Sequence, residues 1–152
     1  MIPGSMTVTE FLKTLVPFLS GLSEEQAHAL AVAAQQISFT KGQTVLFKGV
    51  TVDGLHIVAS GKVSVYVRPE KSKPPVMVAQ LGPGEIFGET SILEMGTAGA
   101  TIKAAEDDTL IFLIPQDAFR GILDQNAEFR ERALALIEAR KKNSAQAKPS
   151  AR

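Results

Sequence analysis

The chain has 152 residues, 45% of them hydrophobic, which is enough for one well-cored domain and leaves little for a second. Its 16 Lys and Arg balance 16 Asp and Glu, so no global field draws it to nucleic acid or to an acidic membrane, and any anion site has to be local. With no cysteine there are no disulfides, thiolate metal sites or cysteine nucleophiles, and no apolar run approaches the roughly 18 residues that membrane insertion requires.

In chain order, Met1 to Ser5 read as a cloning remnant, with Met6 as the natural start. Residues 6–36 read as an N-terminal helical segment. "TVTEFLKTLVPFL" opens on cap-prone threonines and sets Phe11, Leu12 and Leu15 on one helical face, ending near Pro17. "SEEQAHALAVAAQQ" carries a capping-box pattern, Ser23 with Gln26, ahead of Ala27, Leu30, Ala31 and Ala34.

From Ile37 the pattern changes to short β-rich runs punctuated by glycine: "ISFT", "QTVLF", "LHIVA", "KVSVYV", "PVMVAQL", "ATIKAA" and "TLIFLI". "TKGQ", "FKGVTVDG" and "ASGK" place glycine where tight turns need it, and "RPEKSKPP" is a polar hairpin loop, so antiparallel pairing over residues 37–114 is expected. Spacing of this kind points to a β-sandwich or barrel.

After the last run, Pro115 suits the first turn of "PQDAFRGIL", in which Phe119, Ile122 and Leu123 form an apolar stripe. "NAEFRERALALIEARKK" begins with an Asn126 cap and repeats apolar residues at Phe129, Ala133, Leu136 and Ile137, giving C-terminal helices over residues 115–141. That stripe either covers the barrel or, if exposed, pairs with a second copy as a homodimer. Lys141 and Lys142 read as solvated, and residues 142–152 as a disordered tail.

The order of elements, together with one segment, resembles the cyclic-nucleotide-binding domain family. The segment is "GEIFGETSILEMGTAGATIKA", within residues 84–102. Phe87, Gly88 and Glu89 match the family's F-G-E. Ser91, Ile92 and Leu93 fit the short helix expected near Glu89 to Leu93, and Ala100 and Thr101 match the end of the R-[AST]-A-[ST] pattern. "VPFLSGLSEEQ" and "FTKGQTVLFKGVTVDGLHIVASGKVSVY" resemble the family's helical lead-in and first strands, so the likeness covers roughly Phe11 to Ile137. It implies a mainly β fold, an antiparallel β jelly roll with flanking helices, and a phosphate-binding cassette between two strands. The ligand-binding positions it implies are Phe87, Gly88, Glu89, Thr90, Ser91, Ala98, Gly99 and Ala100.

A short helix starting near Gly88 leaves its first amides unpaired and its positive dipole end exposed, which favours an anion. Glu89 is open to two roles. It caps those amides as a structural carboxylate, or, as the resemblance implies, it accepts from a ribose 2′-hydroxyl while the Gly88 and Ser91 N–H groups face a cyclic phosphate. The family's arginine falls on Ala98 and its neighbour on Gly99, and neither bears charge. Lys103 lies an odd number of residues on, facing away along a strand. Losing a charge-assisted phosphate contact of roughly 2–5 kcal/mol would turn micromolar cyclic AMP binding into millimolar or worse.

Other chemistries fit poorly. "GPGEIFG" matches no nucleotide-loop spacing, His28 and His56 are too few for a jelly-roll metal site, and Glu85 with Glu89 lacks a nucleophile or metal. No cofactor and no enzyme activity are therefore expected, and too few residues follow the last helix for an output domain. The expected function is a cytoplasmic regulatory sensor that binds cyclic AMP, cyclic GMP or a related small ligand and signals to a protein partner. The alternative is a ligand-free relative serving as a protein-interaction or assembly module.

Overall fold

Two reciprocal caps organise the N-terminal segment. The Thr7 hydroxyl accepts from the Glu10 N–H at 3.1 Å while the Glu10 carboxylate accepts from the Thr7 N–H at 3.0 Å, starting α1 (Val8–Leu15). Ser23 and Gln26 make the same exchange at 3.1 and 3.2 Å to start α2 (Glu24–Ala33), as the sequence pattern implies. A 3-10 turn, Pro17–Leu19, joins the two. Phe11 and Leu12 are buried, whereas Leu15 at the helix end stays exposed and Val16 goes into the core instead. The computed structural model describes residues 7–88 and 98–150, with side chains through Ala139.

Eight strands follow: β1 (Gln35–Phe39), β2 (Thr44–Leu46), β3 (Gly54–Ser60), β4 (Val63–Val67), β5 (Val76–Leu81), β6 (Ile86–Phe87), β7 (Thr101–Ala104) and β8 (Thr109–Pro115). They form two four-stranded sheets in the orders β1-β8-β3-β6 and β2-β7-β4-β5. Every pairing is antiparallel, and the result is the jelly roll expected from the spacing of the β-rich runs. The barrel opens two residues before Ile37, because Gln35 and Gln36 pair with Leu113 and Phe112 although their side chains are exposed. β6 has no counterpart in the sequence expectation. Two residues carry no periodicity, and the strand exists through its pairing of Ile86 with Ile57 and Phe87 with His56.

β3 lies between β8 and β6 and is buried on both faces. Ile57 pairs with Phe112, whose ring meets that of Phe11 edge-on at 5.6 Å, so this face of the sheet is covered by the N-terminal helices. Strand alternation therefore turns Gly54, His56 and Val58 the other way, toward the interior of the roll.

Two helices close the chain: α3 (Gln116–Gln125) and α4 (Ala127–Ser150). Pro115 is the residue capping α3, and Phe119, Ile122 and Leu123 are buried as the stripe predicts. The Phe129 N–H donates to the Asn126 side-chain oxygen at 3.0 Å, confirming that cap. Phe18, Phe119 and Phe129 then cluster, with ring centroids 4.9 Å apart for Phe18–Phe129 and 5.8 Å for Phe119–Phe129. Phe129, Ala133 and Ile137 are buried and Leu136 half-buried, so the stripe covers the protein's own core and is not free to form the homodimer expected if it were exposed.

The backbone of α4 runs on through residues 142–150, where a disordered tail was the expectation. Propagating an existing helix adds a bond for each residue fixed without a new nucleus, and Ala145, Gln146, Ala147 and Lys148 are good helix formers. No helix among the described residues is long and apolar enough to cross a membrane.

Candidate functional site

The turn from Gly49 into β3 holds both described ends of the cassette. At its entrance, Gly88 adopts φ 90°, a left-handed conformation natural to glycine. A Cβ there would sit 3.1 Å from the Gly54 carbonyl oxygen, 3.1 Å from His56 Nδ1 and 3.2 Å from Val52 Cγ1. A side chain here would be strained by this φ and crowded against β3, which favours glycine. At the exit, the Ala98 N–H donates to the Val50 carbonyl at 2.9 Å and the Ala98 carbonyl accepts from the Gly49 N–H at 2.8 Å. Ala98 is 5% exposed and belongs to the apolar core.

The sequence-derived positions thus divide. Phe87 and Gly88 lie at the entrance, and Ala98, Gly99 and Ala100 at the exit leading into β7. Glu89, Thr90 and Ser91, with the expected short helix at Glu89 to Leu93, fall outside the described residues. Gly99 is exposed, and a Cβ on it would meet nothing within 4 Å among the described residues. Lys103 lies on the exposed face of β7, with its ammonium over the Tyr66 ring at 5.7 Å, and is directed away from the interior as its parity implies. Lys48, on the turn that pins Ala98, donates its backbone N–H to Thr101 Oγ1 at 3.1 Å, and its side chain is exposed.

His56 is the residue that sequence reasoning passed over as a site component. The sequence offers it only as a metal ligand, and among the described residues no cluster of three potential ligands exists. In the fold it is 7% exposed and stacks on Phe87, with ring centroids 4.8 Å apart and planes 22° apart. Its Nδ1 lies 3.1 Å from the Gly54 carbonyl, an acceptor, so Nδ1 carries the proton. Burial lowers its pKa from 6.5 to about 4, against smaller opposing effects of the Gly54 hydrogen bond and the Asp53 carboxylate. A lone histidine in the apolar run "LHIVA" was the only signal available in the sequence.

On the other face of β6, a shallow, mainly apolar pocket of about 330 Å³ is lined by Phe18, Ile86, Arg132 and Leu136 among others. Arg132 spans its helical side by donating to the Phe18 carbonyl at 3.3 Å. Adjacent residues of one short strand therefore face the cassette entrance and the helical layer.

Residues 36–126 match the family model described as the cyclic nucleotide-binding domain. The chain is 34% identical over 101 residues to a cyclic AMP receptor protein of Thermus thermophilus, covering 66% of this chain and 46% of that relative. Among solved structures, the Thermus thermophilus catabolite activator protein superposes with a TM-score of 0.72 at 27% identity, over 88% of this chain and 62% of that one. The regulatory subunit of a cAMP-independent protein kinase A from Trypanosoma cruzi, bound to guanosine, superposes with a TM-score of 0.69 at 26% identity, over 76% of this chain and 40% of that one. The chain thus spans less than half the length of the curated Thermus receptor.

Proposed function

Because the chain belongs to the cyclic nucleotide-binding domain family, we propose that it is a non-catalytic regulatory sensor whose pocket takes a nucleoside or nucleotide and holds a phosphate only weakly at neutral pH. The observation that carries this reading is the contrast between the two cassette ends. Gly88 keeps the close backbone approach of an anion cradle, while position 98 is a buried methyl with both backbone groups engaged. A cradle without a fixed cation favours ligands whose affinity comes from sugar and base. The guanosine bound by the Trypanosoma cruzi neighbour is such a ligand on a related fold.

Signal output would follow β6. A ligand that orders the entrance at Phe87 and Gly88 acts on Ile86 of the same strand, and Ile86 lines the pocket shared with Phe18, Arg132 and Leu136. The helical layer is then the surface read by a protein partner, in the cytoplasm where cyclic nucleotides act as signals.

Titration calorimetry at neutral pH with cyclic AMP, cyclic GMP, a cyclic dinucleotide, adenosine and guanosine tests this. Saturable heat is expected for at least one nucleoside, with the matching cyclic nucleotide binding no more tightly. Micromolar cyclic AMP binding at neutral pH would overturn the weak-phosphate part. A second reading is favoured by the packing of Ala98 in the apolar core: a ligand-free assembly module, which silence toward all five compounds would select.

A further inference from the structure

Among the described residues the two sheets end on β1, β6, β2 and β5, and only the last of these edges is both long and apolar. β6 and β2 are two and three residues long, and β1 presents Gln35, Gln36 and Ser38 to solvent. β5 runs for six residues, Val76–Leu81, without a charge or a proline, and its pairing among the described residues is with β4 alone. Its side chains are as open as its backbone. Val76, Met77 and Val78 are 43, 50 and 41% exposed, and Val76 and Met77, as successive strand residues, point to opposite faces, so both faces of this hairpin end are uncovered by described residues. Val78 is a bulge residue, because Val65 pairs with Ala79 and Tyr66 with Met77. The bulge twists the edge but adds no charge to it.

The loop leading into this strand is basic. It carries Arg68, Lys71 and Lys73 against Glu70. Lys73 pairs with Glu70 at 3.6 Å, whereas Arg68 donates to the Lys71 carbonyl at 3.2 Å, a contact that neutralises no charge. Arg68 and Lys71 are therefore exposed cations with no carboxylate partner among the described residues, beside an apolar strand with a free edge.

We propose that the outer edge of β5 is a docking site for an extended segment of a protein partner, which adds to the sheet as a further strand, lays apolar side chains against Val76, Met77 and Val78, and sets carboxylates beside Arg68 and Lys71. The division of labour follows from the chemistry. Main-chain hydrogen bonds and the apolar side chains supply affinity, and the loop cations select an acidic segment and fix which of its ends lies by Val76. A second copy of β5 answers the free edge but not the cations, since Val76–Leu81 carries no carboxylate. This surface does not depend on the nucleotide reading above.

The test is binding of the whole chain to a short synthetic peptide of alternating valine and threonine with glutamates at both ends, beside the same peptide with lysines at its ends, read by fluorescence anisotropy and by amide hydrogen exchange. The glutamate peptide is expected to bind at least about tenfold more tightly than the lysine peptide, to weaken as salt rises, and to slow exchange within Val76–Leu81. Met77→Lys, which puts a charge on the edge strand, is expected to abolish binding, and Arg68→Glu with Lys71→Glu to weaken it at least about tenfold, each with a melting temperature close to that of wild type. Silence of the glutamate peptide at about millimolar concentration, equal binding of the two peptides, or binding unchanged in the folded variants overturns the proposal. So do two other outcomes: co-sedimentation with phosphatidylserine vesicles that Met77→Lys abolishes, with both peptides silent, selects a membrane surface, and self-association that Met77→Lys abolishes selects a second copy.

Discussion

The imidazole of His56 lies nearly parallel to the ring of Phe87, with centroids 4.8 Å apart, and its Nδ1 lies 3.1 Å from where a Cβ on Gly88, the next residue after Phe87, would sit. A titratable group on a central strand thereby stacks on the residue that precedes the glycine where the cassette begins. The same burial that removes His56 from water gives the fold a pH dependence of defined sign.

The folded-state pKa of His56, about 4, lies below the unfolded value of 6.5, so between these values the unfolded chain binds a proton that the folded chain does not. Above pH 6.5 this group costs nothing. Its contribution is lost as pH falls toward 4, by up to roughly 3 kcal/mol, and levels off below that. Urea unfolding of wild type and His56→Phe across this range should show a slope in the first that is reduced in the second. Equal slopes would show that His56 is not the group responsible.

Ala98→Arg is expected to strengthen cyclic AMP binding at least about tenfold at neutral pH, recovering part of the roughly 2–5 kcal/mol of a charge-assisted contact. Because Ala98 is buried and pinned to Gly49 and Val50, the arginine has to lead its guanidinium out along the pocket, so the melting temperature is measured beside the affinity. Adding Glu89→Ala to Ala98→Arg should weaken binding again. A folded Ala98→Arg protein that binds nothing would mean the pocket has diverged beyond its cation.

Gly88 and Gly99 make a paired test of the cassette backbone. Gly88→Ala forces a side chain into a left-handed conformation against Gly54, His56 and Val52, and should destabilise the fold by about 1–3 kcal/mol while weakening ligand binding. Gly99→Ala, with no described residue within reach of its Cβ, should change stability by less than about 0.5 kcal/mol. Thermal unfolding of both variants reads the difference, and equal losses would refute the close approach at Gly88.

Phe129→Ala removes one ring of the Phe18, Phe119 and Phe129 cluster and should cost about 3–5 kcal/mol in denaturant unfolding, since all three elements lose a packing partner. Wild type should sediment as a monomer at high micromolar concentration, because the α4 stripe is already covered. A stable dimer would place the interface elsewhere, with the 52%-exposed Leu134 the first residue to examine.

Features carried by neighbours in sequence were legible in the sequence itself. The Ser23–Gln26 capping box, the Asn126 cap, the α3 stripe of Phe119, Ile122 and Leu123, and the glycine-punctuated antiparallel strands all depend on residues within a turn or a strand of one another. The Phe87-Gly88-Glu89 motif and the uncharged residue at position 98 were equally visible, because they concern identity rather than placement. Only the tertiary structure decided the rest. β6 exists because β3 offers it a partner, Ala98 is fixed by a turn some fifty residues earlier in the chain, and the stripe on α4 is buried because Phe18 and Phe119 arrive from elsewhere to meet it. His56 shows the division most plainly. Its alternation in "LHIVA" says that it shares a face with Val58, but whether that face meets water, a helix or the inside of a roll is set by how the two sheets close.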